Sequence, residues 1–152
     1  MKKMIFDFNE QKFNIGLLVV RVLIGFMFVL HGAPKLFGGI DTWNFVGSSM
    51  GFLGLKSGYA FWGLLAALAE FAGGILLIVG LLVRPASVFL LLTMFVAIVF
   101  HYAKNEGFNG ASHAMEDAAV FICLIITGGG KFALDSMMLS KNTQRNSLQK
   151  AA

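Results

Sequence analysis

The chain has 152 residues, of which 57% are hydrophobic and 13% are charged, and its mean hydropathy is +0.77. A soluble domain of average composition carries about 25% charged residues, so this chain has too little charge to cover a surface that faces water. The composition excludes an ordinary soluble domain and predicts an integral membrane protein.

The first predicted span covers residues 14–33, which are apolar apart from Arg21 and His31. Twenty residues at ~1.5 Å each match the ~30 Å of hydrocarbon in a bilayer. This run is longer than the ~7–15 apolar residues of a signal peptide, and Arg21 interrupts it. We therefore expect a retained helix.

The Gly-rich segment 34–58 connects the first span to the second. Asp41 is a candidate helix N-cap, and the positions that follow it have amphipathic helical spacing. This pattern predicts a short helix in the membrane interface. Its apolar stripe consists of Trp43, Val46, Met50 and Leu53.

Three further spans are predicted at about 60–82, 86–103 and 114–128. The fold class expected is an all-α, integral membrane four-helix bundle. We expect one four-span domain over residues 1–139 and a polar cytoplasmic tail over residues 140–152.

Basic residues are distributed unequally between the predicted loops. Most of the 12 Lys and Arg residues fall on the side of the termini, so the positive-inside rule places both termini in the cytoplasm. This asymmetry explains the net charge of +4 without a nucleic-acid partner.

Arg21 and Glu70 lie within the first and second spans. An ionisable side chain costs at least ~2.5–3.5 kcal/mol at mid-depth on insertion scales, so we interpret the two residues as a polar membrane core. One interpretation is an ion pair between them, which either has a functional role or only fixes the helix register. The alternative is that the Arg21 side chain extends to the near membrane interface.

A second polar cluster is predicted toward the outer face, where histidines and acidic residues occur near the outer ends of the spans. It suits a quinone or lipid headgroup, a metal ion or a proton relay. Alternatively, these side chains only meet water, and the acidic pair favours the dipole of the fourth helix. The ligand-binding candidates are His31, Lys35, His101, His113, Glu116 and Asp117.

Metal and nucleophile chemistry have little support in the sequence. A di-iron site needs two E-x-x-H motifs and two further Glu residues, whereas this chain has His113 and Glu116 in the reverse order. We predict no metal site. The single cysteine, Cys123, excludes an internal disulfide and lies in an apolar run that disfavours a thiolate.

Three segments together resemble the signature of the DoxX (DoxX/DoxD-like) family. They read R-V-L-I-G-F-M-F-V-L-H-G-A-P-K-L-F from Arg21, A-E-F-A-G-G followed by G-L-L-V-R from Ala69, and T-G-G-G-K-F-A-L-D from Thr127. Ala133 stands where the family usually has Ser. The resemblance implies a four-helix protein of the bacterial cytoplasmic (inner) membrane. Some relatives are described as subunits of quinone-linked oxidoreductases acting on thiosulfate, and others are associated with thiol-redox complexes.

The functional expectation is a membrane subunit of a redox-linked, quinone- or thiol-associated complex. It would hold a quinone or lipid headgroup near its outer face and have no intrinsic cofactor. The alternative is a non-catalytic membrane scaffold or small-solute carrier. Four short spans bury little surface within the bilayer, so a homo-oligomer or a partner subunit is also expected.

Overall fold

The computed structural model describes residues 9–138. All the regular secondary structure in this range is helical, and a last short helical stretch occupies 134–138. The predicted polar tail at 140–152 lies outside the described residues. The elements are α1 (Glu10–Phe37), α2 (Gly39–Gly47), the 3-10 helix η1 (Ser48–Leu53), α3 (Tyr59–Val79), α4 (Val83–Ala103) and α5 (Gly107–Thr127).

Four of these helices, α1, α3, α4 and α5, are long and apolar enough to cross a membrane. This confirms the predicted all-α, four-span fold with a short helical segment between the first two spans. We call the end of the bundle at which α1 begins and α5 ends the proximal end, and the opposite end the distal end.

The helix boundaries differ most from the prediction in the fourth span. The hydropathy pattern predicts a start near 114, but α5 begins at Gly107. Backbone hydrogen bonds of a helix are local, so the helix extends through polar residues that hydropathy does not count. Glu116 and Asp117 therefore lie in the middle of α5 and not in its first turn.

Helices α1 and α3 pack with their backbones in close contact. A Cβ atom built on Gly25 would lie 2.7 Å from the carbonyl oxygen of Gly74, and one built on Gly32 would lie 2.4 Å from the backbone nitrogen of Phe71. Small residues are enriched at membrane helix interfaces because they allow this approach. The glycines thus fix the register of α1 against α3.

The α2–η1 segment packs along the distal half of α3. Gly47 and Gly63 leave no room for a side chain, because a Cβ on Gly63 would overlap the backbone of Trp43. The indole Nε1 of Trp43 donates to the carbonyl oxygens of Lys35 and Leu36, at 3.1 and 3.3 Å. The predicted amphipathic segment is therefore attached to α3 and to the end of α1.

The core between the spans is apolar, with Leu77, Leu90, Phe121 and Leu124 fully buried. Phe28 of α1 contacts Phe121 of α5 with ring centroids 5.0 Å apart. Large apolar side chains also cover much of the outer surface. That surface matches hydrocarbon and not water, as expected for a bundle in a bilayer.

We predict that Gly32→Ala destabilises the bundle and that Gly16→Ala does not. The added methyl at position 32 meets the backbone of Phe71, whereas Gly16 has nothing within 4 Å of a built Cβ. Overpacking costs about 1–3 kcal/mol, and both variants share the gain in helix propensity. Thermal unfolding in detergent micelles measures the difference, and equal midpoints for the two variants would contradict it.

Candidate functional site

Arg21 lies at the proximal end of the bundle and is only 1% exposed. Its Nη1 and Nη2 atoms each donate at 3.3 Å, to the carbonyl oxygens of Gly129 and Phe132. These carbonyls follow the end of α5, and Gly80, which ends α3, lies against the guanidinium group. A cation at helix C-termini is favoured by the helix dipole. Arg21 thus joins α1 to the ends of α3 and α5.

Asp135 lies in the segment that follows α5 and adds a second set of contacts at this end. We call the contacts of Arg21 and Asp135 the proximal clamp. Its carboxylate accepts hydrogen bonds from the backbone N–H groups of Leu82 and Val83, at 2.9 and 3.0 Å. Its own N–H donates to the carbonyl oxygen of Gly80 at 3.1 Å. Because a carboxylate satisfies free N–H groups at a helix start, Asp135 caps α4. The three signature segments thus meet in one structural arrangement.

Glu70 is buried near the middle of α3, and its partner is Lys35. Lys35 Nζ lies 2.7 and 2.6 Å from the two carboxylate oxygens. The structure therefore gives Arg21 and Glu70 different partners, contrary to the direct pair considered from sequence. Antiparallel packing explains the difference, because Arg21 lies level with the proximal end of α3 and Lys35 lies level with its middle.

The predicted His/acid cluster divides into two groups. Asp117 lies within electrostatic range of His31, His113 and Glu116, on the outer surface of α1 and α5. His101 belongs to the second group, in which its Nδ1 pairs with Glu106 in the loop at the distal end.

The Asp117 group lies near the middle of the bundle. Phe28 packs on Phe121, and His31 and Asp117 lie one turn distal of these two rings. Gly32, the neighbour of His31, contacts Phe71 near the middle of α3. The group is therefore deeper than the helix ends at which it was expected.

A cavity of about 500 Å³ lies between α2–η1, α3 and α4. This volume is in the ~300–1,000 Å³ range of small-molecule sites. Its lining is mainly apolar, and Lys35 and Glu70 supply the charged groups. Phe45, Phe89 and Phe95 line it while being more than half exposed, so it opens on the apolar outer surface. The aromatic lining consists of Phe45, Trp62, Phe89, Phe95 and Phe100.

The charged end of the cavity offers both a donor and acceptors. The Lys35 ammonium has three N–H donors, and Glu70 is its only partner among the residues that the structure describes. One donor can therefore face the cavity beside the carboxylate oxygens. Over residues 9–138, no group of three or more His, Cys, Asp or Glu residues is arranged to hold a metal ion.

Comparison with known proteins identifies the family. The DoxX family model matches residues 16–103. The chain belongs to the DoxX family. It is 30% identical to "Inner membrane protein YqjF" of Escherichia coli over 84% of this chain and 95% of that protein. It is 32% identical to "Putative oxidoreductase CatD" of Bacillus subtilis over 90% and 97% of the two chains.

A third relative is "Inner membrane protein YphA" of Escherichia coli, which is 25% identical over 86% of this DoxX-family chain and 94% of that protein. No match was found among solved structures. The inner-membrane relatives and the four apolar helices place this DoxX-family chain in the bacterial inner membrane as a multi-pass protein.

Sequence reasoning included Lys35 among the ligand candidates but missed its pairing with Glu70. The available signal was a lysine one turn beyond His31, with no acidic residue at helical spacing to neutralise it. The aromatic cavity left no comparable signal, because its lining comes from segments far apart in the chain.

We predict that Arg21→Met lowers stability far more than Arg84→Met. The first change leaves the buried carbonyl of Gly129 and the partly buried carbonyl of Phe132 without their donors, at a cost of about 2 kcal/mol. Arg84 is exposed and donates to one carbonyl, that of Ile126, so its loss should cost about 0.5 kcal/mol. Arg21→Lys should recover only part of the loss, because one ammonium does not reproduce the guanidinium fork. Unfolding midpoints in micelles test this ranking.

We predict that the effects of Lys35→Met and Glu70→Gln on stability are strongly coupled. Lys35→Met leaves the buried Glu70 carboxylate uncompensated, which costs about 3 kcal/mol, whereas Glu70→Gln should cost less because Lys35 is partly exposed. The double variant should be more stable than Lys35→Met alone. A double-mutant cycle on unfolding measures the coupling, and additive effects would contradict the ion pair.

Proposed function

We propose that this chain is the membrane subunit of an oxidoreductase and that it binds a quinone in the α2–α3–α4 cavity. The observation that carries the proposal is the Lys35–Glu70 pair, with Glu70 buried and Lys35 partly exposed, at the end of an apolar cavity that opens toward lipid. A quinone has the matching form, with a polar ring and a long apolar tail.

The chemistry of the pair suits both redox forms of the ligand. A quinone carbonyl accepts a hydrogen bond from the Lys35 ammonium, and a quinol hydroxyl donates one to the Glu70 carboxylate. Reduction of the ring adds two electrons, which would come from a redox cofactor on a partner subunit, and two protons, which would be taken up from water through the Lys35–Glu70 pair. The chain itself would position the ring.

Two further observations support an oxidoreductase role. The Bacillus subtilis relative is named "Putative oxidoreductase CatD" and aligns over 90% of this chain. The DoxX signature also resembles that of subunits of quinone-linked enzymes. Of the six ligand candidates chosen from sequence, Lys35 lines the cavity, so we place the ring there and not beside the Asp117 group.

We further propose that the proximal end faces the cytoplasm, in line with the excess of basic residues on the side of the termini. The cavity, which lies along the distal half of α3, would then be reached from the outer leaflet.

Titration with decylubiquinone tests the site. The wild-type chain in micelles should bind it, with quenching of Trp62 and Trp43 fluorescence and a raised unfolding midpoint. The double variant Lys35→Met, Glu70→Gln should bind about tenfold more weakly or worse, because it loses the charged donor and acceptor. Lys56→Met, an exposed lysine outside the cavity lining, is the matched control.

Absence of binding to the wild-type chain, or equal binding by the double variant, would overturn the quinone site. A phospholipid that copurifies and is not displaced by decylubiquinone would instead favour the scaffold or carrier function.

A further inference from the structure

Four ionisable side chains form a patch on the outside of the bundle, away from the cavity. We call the Asp117 group, which consists of His31, His113, Glu116 and Asp117, the α1–α5 patch. His31, His113 and Glu116 are exposed and Asp117 is half-buried. The patch lies near mid-bundle, level with the contact between Gly32 and Phe71.

This exposure has a physical consequence in a bilayer. Lipid chains offer no hydrogen-bond partners, so ionisable residues in membrane spans almost always face protein or a water-filled cavity. The cavity described above is lined by α2–η1, α3 and α4 and by Lys35, and it does not include the patch. A second protein surface beside α1 and α5 would shield the patch from lipid.

The charges of the patch are self-complementary, with two histidines and two acidic residues. An isologous dimer brings the same patch of both copies together. In a membrane, its two-fold axis runs along the bilayer normal, so α5 lies parallel to α5 of the second copy. His113 and Glu116 differ in height by only ~4.5 Å, which their side chains can span.

We propose that two copies of this chain associate through the α1–α5 patch, with His113 of each copy paired to Glu116 of the other. Asp117, which is half-buried, lies beneath this pairing. The proposal does not depend on quinone binding, because none of the four residues of the patch lines the cavity.

Cys123 provides a native probe of this arrangement. It is exposed and lies two helical turns from Glu116 on the same face of α5. In the parallel dimer, the two Cys123 side chains approach each other near the axis. It is also the only cysteine of the chain, so a cross-link reports one site.

The first experiment is cross-linking in vesicles of phosphatidylethanolamine and phosphatidylglycerol with copper–phenanthroline. The wild-type chain should give a covalent dimer whose yield persists when the vesicles are diluted with lipid, and Cys123→Ser should give none. His113→Glu alone and Glu116→His alone should each lower the yield about tenfold, because two carboxylates or two imidazoles then meet and the pairing of His with Glu is lost.

The second experiment separates contacts between copies from contacts within one chain. His113→Glu and Glu116→His chains with different tags are co-expressed, so that each contact between positions 113 and 116 of the two chains again pairs a histidine with a glutamate. The mixed dimer should return to the wild-type cross-linking yield while both homodimers remain weak. A role confined to one chain would give no such rescue.

The matched control uses the other His–Glu pair, at the distal loop. His101→Glu and Glu106→His change the same residue types away from the patch and should leave the cross-linking yield unchanged. A wild-type chain that stays monomeric in vesicles would overturn the proposal. So would failure of the mixed pair to recover, or a different protein that copurifies and protects Cys123.

Discussion

The close backbone contact between α1 and α3 determines which polar residues can meet. Gly25, Gly32 and Gly74 bring the two helices together without intervening side chains. In this register, Lys35 reaches Glu70 near the middle of α3, while Arg21 lies beside Gly80 at its end. A side chain at any of these glycines would separate the helices and change both sets of contacts. The ion pair of the cavity and the proximal clamp therefore depend on the same packing.

Polar groups in this bundle are stabilised in three different ways. Arg21 donates to carbonyl groups of the loop that follows α5, at the proximal end. Glu70 is compensated by an opposite charge, and the pair then borders an apolar cavity that can hold a ligand. The α1–α5 patch has acids and bases together on the outer surface, where a second chain can complete it. A single physical constraint, the cost of charge in hydrocarbon, thus relates the proximal clamp, the cavity and the α1–α5 patch.

Much of the fold followed from hydropathy, because the length of an apolar run must match the bilayer. The second and third predicted spans agree with α3 and α4 to within a few residues. The start of α5 was missed because its first two turns are polar. Glu70 was correctly recognised as costly within a span, but the partner considered for it was Arg21, and the choice of Lys35 was missed. That choice needs the relative height of two antiparallel helices, which depends on contacts such as that of Gly32 with Phe71.

The sequence by itself determined that the chain crosses the membrane, how many times it does so, its family signature and which ionisable residues are unusual. These properties are local, since they depend on composition and spacing along one segment. Only the tertiary structure decided that Lys35 pairs with Glu70, that Arg21 and Asp135 close the proximal end, and that His101 separates from the other histidines. Each of these outcomes depends on helix register and on which faces meet, and side-chain packing between distant segments decides both.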